Sequence, residues 1–399
     1  MVDPNLEKLA NILLDYSFEK IDFGKAWKEG EKRLWIRYEP PADKLAQVIT
    51  EKIYDRGGNV FLDQTPSWLN YAFFARASED VLKESPDYYF FKLKHSAARL
   101  VILSDTNTKS LTNVKPERRT IRNKAMEPAF EGAMKTDPEG NFTTPWCGVI
   151  FPTEAYAQDM GVSLSECEQY IYNAMYLDQE NPTEKWREVA TTQRKMIEEV
   201  LGKAKIISIV DEADDTKLTM SVEGHRWINA DGHLNFPDDE IFNAPVKTSV
   251  NGVLTVPSLP QYDNGGPEVR DIRLELKAGK VVKWDAEIGK SYLDEFFTKN
   301  PGADYIGEIA LGCHPRLDKI TKQILLDEKI GGTVHSAFGR AYDLHVLGDK
   351  DRSGLNKSAV HWDLIRDMRK PTAYVQVDDR FKLMWDKNNG KWLAEKLYA

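Results

Sequence analysis

The chain has 399 residues, too many for one compact core, and this length predicts two domains, with room for a third. Hydrophobic residues at 41% and aromatics at 11% exclude a disordered chain. The 54 basic and 63 acidic residues give a net charge of -9 with no basic block, which argues against nucleic acid as a partner.

The three cysteines, Cys147, Cys167 and Cys313, are odd in number and widely spaced. A disulfide framework and a zinc knuckle are therefore not expected, and a reducing compartment is. The opening MVDPNLEKLANILLDYSFEK reads as an amphipathic helix interrupted by charge, and no segment approaches about 18 uninterrupted apolar residues. The expectation is a cytoplasmic protein with no membrane partner.

In chain order, Leu6, Leu9, Ile12, Leu13 and Tyr16 recur at helical spacing. Leu34 to Tyr38 then reads as a strand, Ala42 to Tyr54 as an amphipathic helix stopped by Gly57-Gly58, and Val60 to Leu62 as a second strand. A helix over Trp68 to Leu82, an aromatic cluster at Tyr88 to Phe91 and a buried strand at Arg99 to Ser104 continue the alternation. A helix over Pro116 to Lys135 and a strand over Trp146 to Phe151 follow. This order predicts an α/β domain with a mostly parallel sheet. Ser163 or Ser165 can cap a helix running to Leu177, and Pro182 opens another that Gly202 closes.

A domain boundary is placed there, giving 1–203 and 204–399. Beyond it, Lys205 to Val210, Lys217 to Val222, Gly252 to Val256, Val269 to Leu276 and Lys280 to Asp285 read as strands between Asp, Gly and Asn turns. Asp263-Asn264 and Gly265-Gly266-Pro267 form a turn-rich link, and Tyr292 to Lys299 a short helix. The second domain is predicted to be α+β and rich in antiparallel strands. Gly57-Gly58 and Gly331-Gly332 lack the flanking residues of a phosphate-binding loop.

The chemistry concentrates between Ile306 and Ile365. Glu308, Glu328, His335, Tyr342, His361 and Asp363 all carry groups that bind divalent cations. His361 and Asp363 alternate with Val360, Trp362 and Leu364, so on a strand both point to one side. Glu240, between Pro237 and Pro245, is a further carboxylate, expected in a constrained turn leading out of a strand.

The segments NFPDDEIFNAP, GEIALG, LLDEKIGGTVHSAFGRAY and SAVHWDLI resemble, in order and approximate separation, the signature segments of the thermophilic aminopeptidase family. The likeness extends upstream through PTEAYAQDMGVSLSE and LEKLANILLDYS. It implies an N-terminal α/β domain, a C-terminal α+β domain carrying the site, and a homodimer. The implied activity is metal-dependent release of N-terminal residues from short peptides, with two close divalent ions such as zinc, cobalt or magnesium. The implied metal positions are Glu240, Glu308, His335, Tyr342, His361 and Asp363, with Glu328 a further acidic position.

These side chains suit that reaction. Two ions about 3.5–4 Å apart lower the pKa of a bound water and polarise a carbonyl, and a carboxylate must bridge them. Glu308 is the candidate bridge, Glu240 and Glu328 are candidates for terminal ligation or general-base work, and His335 and His361 for nitrogen ligation. Tyr342 can ligate or donate a hydrogen bond to a developing oxyanion. The implied catalytic set is Glu308, Glu328 and Tyr342. Three flanking positions depart from the usual pattern: Asp239 replaces glycine, Asn243 replaces threonine, and Cys313-His314-Pro315 follows GEIALG. Two alternatives stand beside this reading. His335, His361 and Asp363 alone make the triad of a mononuclear non-haem iron dioxygenase, and the scaffold also suits a non-catalytic binding protein.

Overall fold

The computed structural model describes residues 3–263, 266–348 and 350–397, so Asn264 and Gly265 of the turn-rich link lie outside the described residues. The chain divides into two compact units, Met1–Trp186 with Gly232–Pro237, and Arg187–Asp231 with Asp238–Ala399. Residues 187–203 fall in the second unit, ahead of the division read at 203, because Val200 and Leu201 belong to its apolar core.

The first unit opens with the helix Pro4–Ile12. The Asp3 side chain accepts the Asn5 N–H at 2.9 Å and caps it, and proline occupies its first turn. Leu6, Leu9, Ile12, Leu13 and Tyr16 are buried. The sheet is made of β1 (Arg33–Tyr38), β2 (Val60–Gln64), β3 (Ser96–Leu103), β4 (Trp146–Ile150) and, returning after three strands of the second unit, β8 (Asn235–Phe236). Its order is β2-β1-β3-β4-β8 and every neighbouring pair is parallel, as the alternation predicts. Ser163 caps the helix Leu164–Ala174 in a reciprocal box with Glu166. Two readings change. The helix expected over residues 68–82 breaks into Leu69–Arg76 and Glu79–Leu82, because Ser78 caps a new start. The aromatic cluster at 88–91 lies within the helix Asp87–Lys94.

The second unit holds β5 (Ile206–Asp211), β6 (Lys217–Ser221), β7 (Ile228–Ala230), β9 (Glu240–Asn243), β10 (Asn251–Val256), β11 (Gln261–Tyr262), β12 (Glu268–Val269), β13 (Ile272–Lys277), β14 (Lys280–Asp285), β15 (Ile306–Gly312), β16 (Thr333–Gly339), β17 (His361–Asp367), β18 (Ala373–Val377), β19 (Phe381–Asp386) and β20 (Lys391–Lys396). The strand expected over 269–276 is interrupted at Asp271, whose φ of 51° turns the backbone out of the extended region. An eight-stranded sheet, β14-β13-β10-β6-β5-β18-β19-β20, and a five-stranded sheet, β17-β16-β15-β9-β7, are both antiparallel throughout.

Both sheets contribute to one core. Ile207, Leu218, Leu254, Leu274 and Val375 of the larger sheet belong to it, as do Ile241, Ile309, Leu311, Val334, Phe338, Trp362 and Leu364 of the smaller. Period two then dictates the rest, since the alternate residues of β9, β15, β16 and β17 must present the opposite face. Each large side chain buried on the core face contributes about 2 kcal/mol, which offsets the repulsion among acidic residues gathered on the other.

Candidate metal centre

The second face of the five-stranded sheet carries Glu240, Glu308, His335, His361 and Asp363. The register pairs Glu308 with Ala337 and Ala337 with Asp363, Gly339 with His361, Ala310 with His335, and Gly312 with Glu240. Each acidic or imidazole side chain thus lies beside a residue with little or no side chain. Small neighbours leave the ligating groups room to converge above the sheet. Glu240 itself opens β9 and takes part in the ladder, which corrects the expectation of a turn position.

Glu328 reaches the same face from a crossing segment. A Cβ on Gly312 would lie 2.3 Å from the Ile330 carbonyl oxygen and 3.1 Å from that of Glu328, so only glycine lets residues 328–330 pass this close to β15. His314 clamps that segment: its N–H donates to the Lys329 carbonyl at 2.9 Å and its carbonyl accepts the Gly331 N–H at 3.0 Å. Upstream, the buried Asp327 carboxylate accepts from the Thr321 N–H at 2.7 Å, the Thr321 hydroxyl at 2.6 Å and the Lys322 N–H at 2.9 Å, fixing the approach.

Among the described residues, three groups of side chains have ligand atoms within 4.8 Å of one another: Glu240, Glu308 and His335; Glu308, His361 and Asp363; and Glu328, His335 and Asp363. All six of these residues were candidates from sequence. Tyr342 stands beside them, its ring centroid 5.3 Å from that of His361. His314 belongs to none of the three groups. Its ring Nδ1 accepts the Arg316 N–H at 3.2 Å, a local structural role.

The donor set suits a divalent cation. His361 Nδ1 faces the Arg340 carbonyl oxygen at 2.8 Å, so in the neutral ring Nδ1 carries the proton and Nε2 presents its lone pair toward Asp363. Among the described residues Glu240 Oε2 and Asp363 Oδ1 are buried without a hydrogen bond, with imidazole nitrogen 3.3 Å from the first and 3.6 and 3.9 Å from the second. Buried carboxylate oxygens in that state call for a positive charge.

Electrostatics carry the same signature. Burial pushes Glu240 up to about 8 against the pull of the Lys329 ammonium, and burial likewise raises Glu328. Burial works against a charge on His335, yet its hydrogen bond with Glu308 and the Glu240 and Asp363 carboxylates lift it to about 9. Asp363, which burial alone would raise, is drawn down to about 2 by His361. The His361 cation pulls Tyr342 down, but burial and three carboxylates leave its phenol raised. The carboxylates around His335 and His361 thus favour positive charge at both rings.

Two participants were not recognised from sequence. Lys329 is fully buried, and its Nζ lies 3.1 Å from Asp238, 2.5 Å from Glu240 and 2.8 Å from Glu328. Asp238 is equally inaccessible. Asp239, the departure from glycine, has a φ of 95°, in the region that favours glycine, and its carboxylate accepts the Gln193 amide at 2.6 Å.

Comparison with known proteins agrees with this composition. The chain is 29% identical over 392 residues to aminopeptidase T of Thermus thermophilus, covering 90% of this chain and 88% of that one. It is 26% identical over 365 residues to aminopeptidase 2 of Geobacillus stearothermophilus, covering 83% and 86%. Among solved structures, wild-type AmpT from Thermus thermophilus shares the fold with a TM-score of 0.74 and 23% identity, over 98% of both chains. A 2,5-dihydroxypyridine dioxygenase of Pseudomonas putida shares it more distantly, with a TM-score of 0.52 and 13% identity over 97% of both chains. The profile of the thermophilic metalloprotease (M29) family matches residues 2–392, and the chain belongs to that family.

Proposed function

We propose that the acidic face of the five-stranded sheet is a two-ion centre with which this metal-dependent aminopeptidase releases N-terminal residues from short peptides. The observation that carries the reading is the position of Glu308 on the central strand of the sheet: like His335 and Asp363 it belongs to two of the three ligand groups, one with Glu240 and His335 and one with His361 and Asp363, and it is the one carboxylate of these groups on a strand between that of Glu240 and that of His361 and Asp363. A carboxylate so placed would suit a position between two cations. Glu240, His335, His361 and Asp363 would complete the holding set, with Tyr342 at its edge. When bound, a pair of divalent ions supplies a water activated near neutral pH and Lewis-acid polarisation of the scissile carbonyl.

The chain's own groups supply the remaining functions. Glu328, less enclosed than Glu240 and tied to Lys329 through one oxygen, keeps its other oxygen for a proton taken from water. Tyr342 keeps its phenolic proton, since its pKa is raised, and can donate it in a hydrogen bond to a developing oxyanion. Zinc, cobalt or magnesium fits a set of oxygen and imidazole ligands. We further read the protein as a cytoplasmic homodimer acting on peptides, with no role for nucleic acid. Among the described residues no helix is long and apolar enough to cross a membrane.

The triad His335, His361 and Asp363 of a mononuclear iron dioxygenase has less support, because Glu240, Glu308 and Glu328 crowd the same imidazoles. The test is amino-acid release from peptides with free and with acetylated N-termini, before and after chelation. Release from free peptides only, abolished by chelator and restored by zinc or cobalt, is expected. Equal cleavage of acetylated peptides would overturn the exopeptidase reading, and activity that survives complete metal removal would overturn the metal centre.

A further inference from the structure

We infer that Lys329 is a positioning residue acting as a third, built-in cation of the centre, limiting it to two metal ions and holding Glu240 and Glu328 to one free oxygen each. The inference rests on the metal reading above and concerns how the chain regulates that same site.

A lysine with no exposed surface needs counter-charge, and this one has three carboxylates within 3.1 Å, Asp238, Glu240 and Glu328. The contacts are specific. Lys329 takes Oε1 of Glu240 and leaves Oε2 directed at His335, 3.3 Å away on the ligand side. It also takes Oε1 of Glu328, whose neighbours on the other side are His335 and Asp363. The backbone from which the ammonium reaches is fixed, because the carbonyl of Lys329 accepts the His314 N–H and the segment is packed against Gly312. Glu240 is thereby an oriented ligand with one oxygen to give, Glu328 keeps one oxygen for the proton of water, and neither can chelate an ion through both.

The charge count agrees. The groups joined by ion-pair contacts include five carboxylates, Asp238, Glu240, Glu308, Glu328 and Asp363, and one lysine. With neutral imidazoles the surplus is four negative charges, the number that two divalent cations match. Without the lysine the surplus would be five, and each carboxylate it occupies would be open to metal. Lys329 therefore weakens metal binding relative to what the carboxylates alone would give, in exchange for a fixed geometry.

This sets the lysine apart from a merely structural residue, whose loss would weaken the site. The experiment measures zinc affinity and stoichiometry by competition with a chelator of known affinity, in the full-length protein and in Lys329→Met. Melting temperature is followed with and without zinc. The unaltered protein should hold two zinc ions. Lys329→Met should bind zinc at least about tenfold more tightly, gain more thermal stability from zinc than the unaltered protein does, and have a reduced kcat at saturating zinc. The double variant Asp238→Asn with Lys329→Met restores the charge count and should return the zinc dissociation constant to within about threefold of the original.

Equal or weaker zinc binding by Lys329→Met would overturn the inference while leaving the metal centre in place. Absence of zinc from the unaltered protein would instead sink the metal reading. If Lys329→Met does not fold even with zinc supplied, the double variant decides. Folding with near-original affinity supports the charge role, and failure of both variants to fold refutes it.

Discussion

Asp239 offers a test in which the sign of an effect is set by backbone conformation. Its φ of 95° lies in a region where any Cβ is strained, at a cost of roughly 1–3 kcal/mol. Replacing Asp239 by glycine or by alanine removes the same buried carboxylate and the same 2.6 Å bond from Gln193, so that loss cancels between the two variants. What remains is the strain, kept by alanine and relieved by glycine, against the greater chain entropy of glycine in the unfolded state, about 0.4–1 kcal/mol in the opposite direction. The Asp239→Gly protein should therefore be more stable than Asp239→Ala by about 1 kcal/mol, the reverse of the order found at an ordinary helix or strand position. Urea unfolding of both variants at one pH measures the difference. An alanine variant as stable as the glycine variant, with equal dependence on urea, would refute the strain argument.

Ala337 stands between Glu308 and Asp363 in the register, so Ala337→Val should fill the space where their oxygens converge. Bound metal should fall below one ion per chain while far-UV circular dichroism stays unchanged; retention of full metal content would contradict the small-residue floor. Burial holds His345 neutral and pushes it down to about 4, so the native state refuses a proton that the unfolded state accepts below about 6.5. Its contribution to stability is complete above about 6.5 and is lost as pH falls toward 4, by roughly 3 kcal/mol. The unfolding free energy of the unaltered protein should therefore fall by about that amount relative to His345→Leu between pH 7 and pH 4, and parallel pH curves would exclude the effect.

Much of the candidate site could be read from the sequence because ligand-type residues and core residues alternate in it at period two. His361 and Asp363, like Glu308 and Ala310, recur at period two within apolar segments whose alternate residues, Trp362, Leu364, Ile309 and Leu311, had to be core. Strands of the parallel sheet were legible for the related reason that continuous apolar runs between helices leave few other solutions. Lys329 and Asp238 were not legible. A lysine beside a glutamate looks like a solvated pair in any one-dimensional reading, and its complete burial results from residues 328–330 crossing β15 at Gly312. The available hint was a lone lysine set among Leu325, Leu326 and Ile330, all of them buried. Likewise, the break at Ser78 follows from a cap competing with a continuous apolar pattern, which periodicity alone does not register.

The proposed place of Glu308 between two cations is tested by metal content per chain in the unaltered protein and in Glu308→Ala, each saturated with zinc and freed of excess. Two ions are expected in the unaltered protein and at most one in Glu308→Ala, with peptide hydrolysis lost along with the missing ion. A single ion per chain in both proteins, or two retained without Glu308, would contradict it.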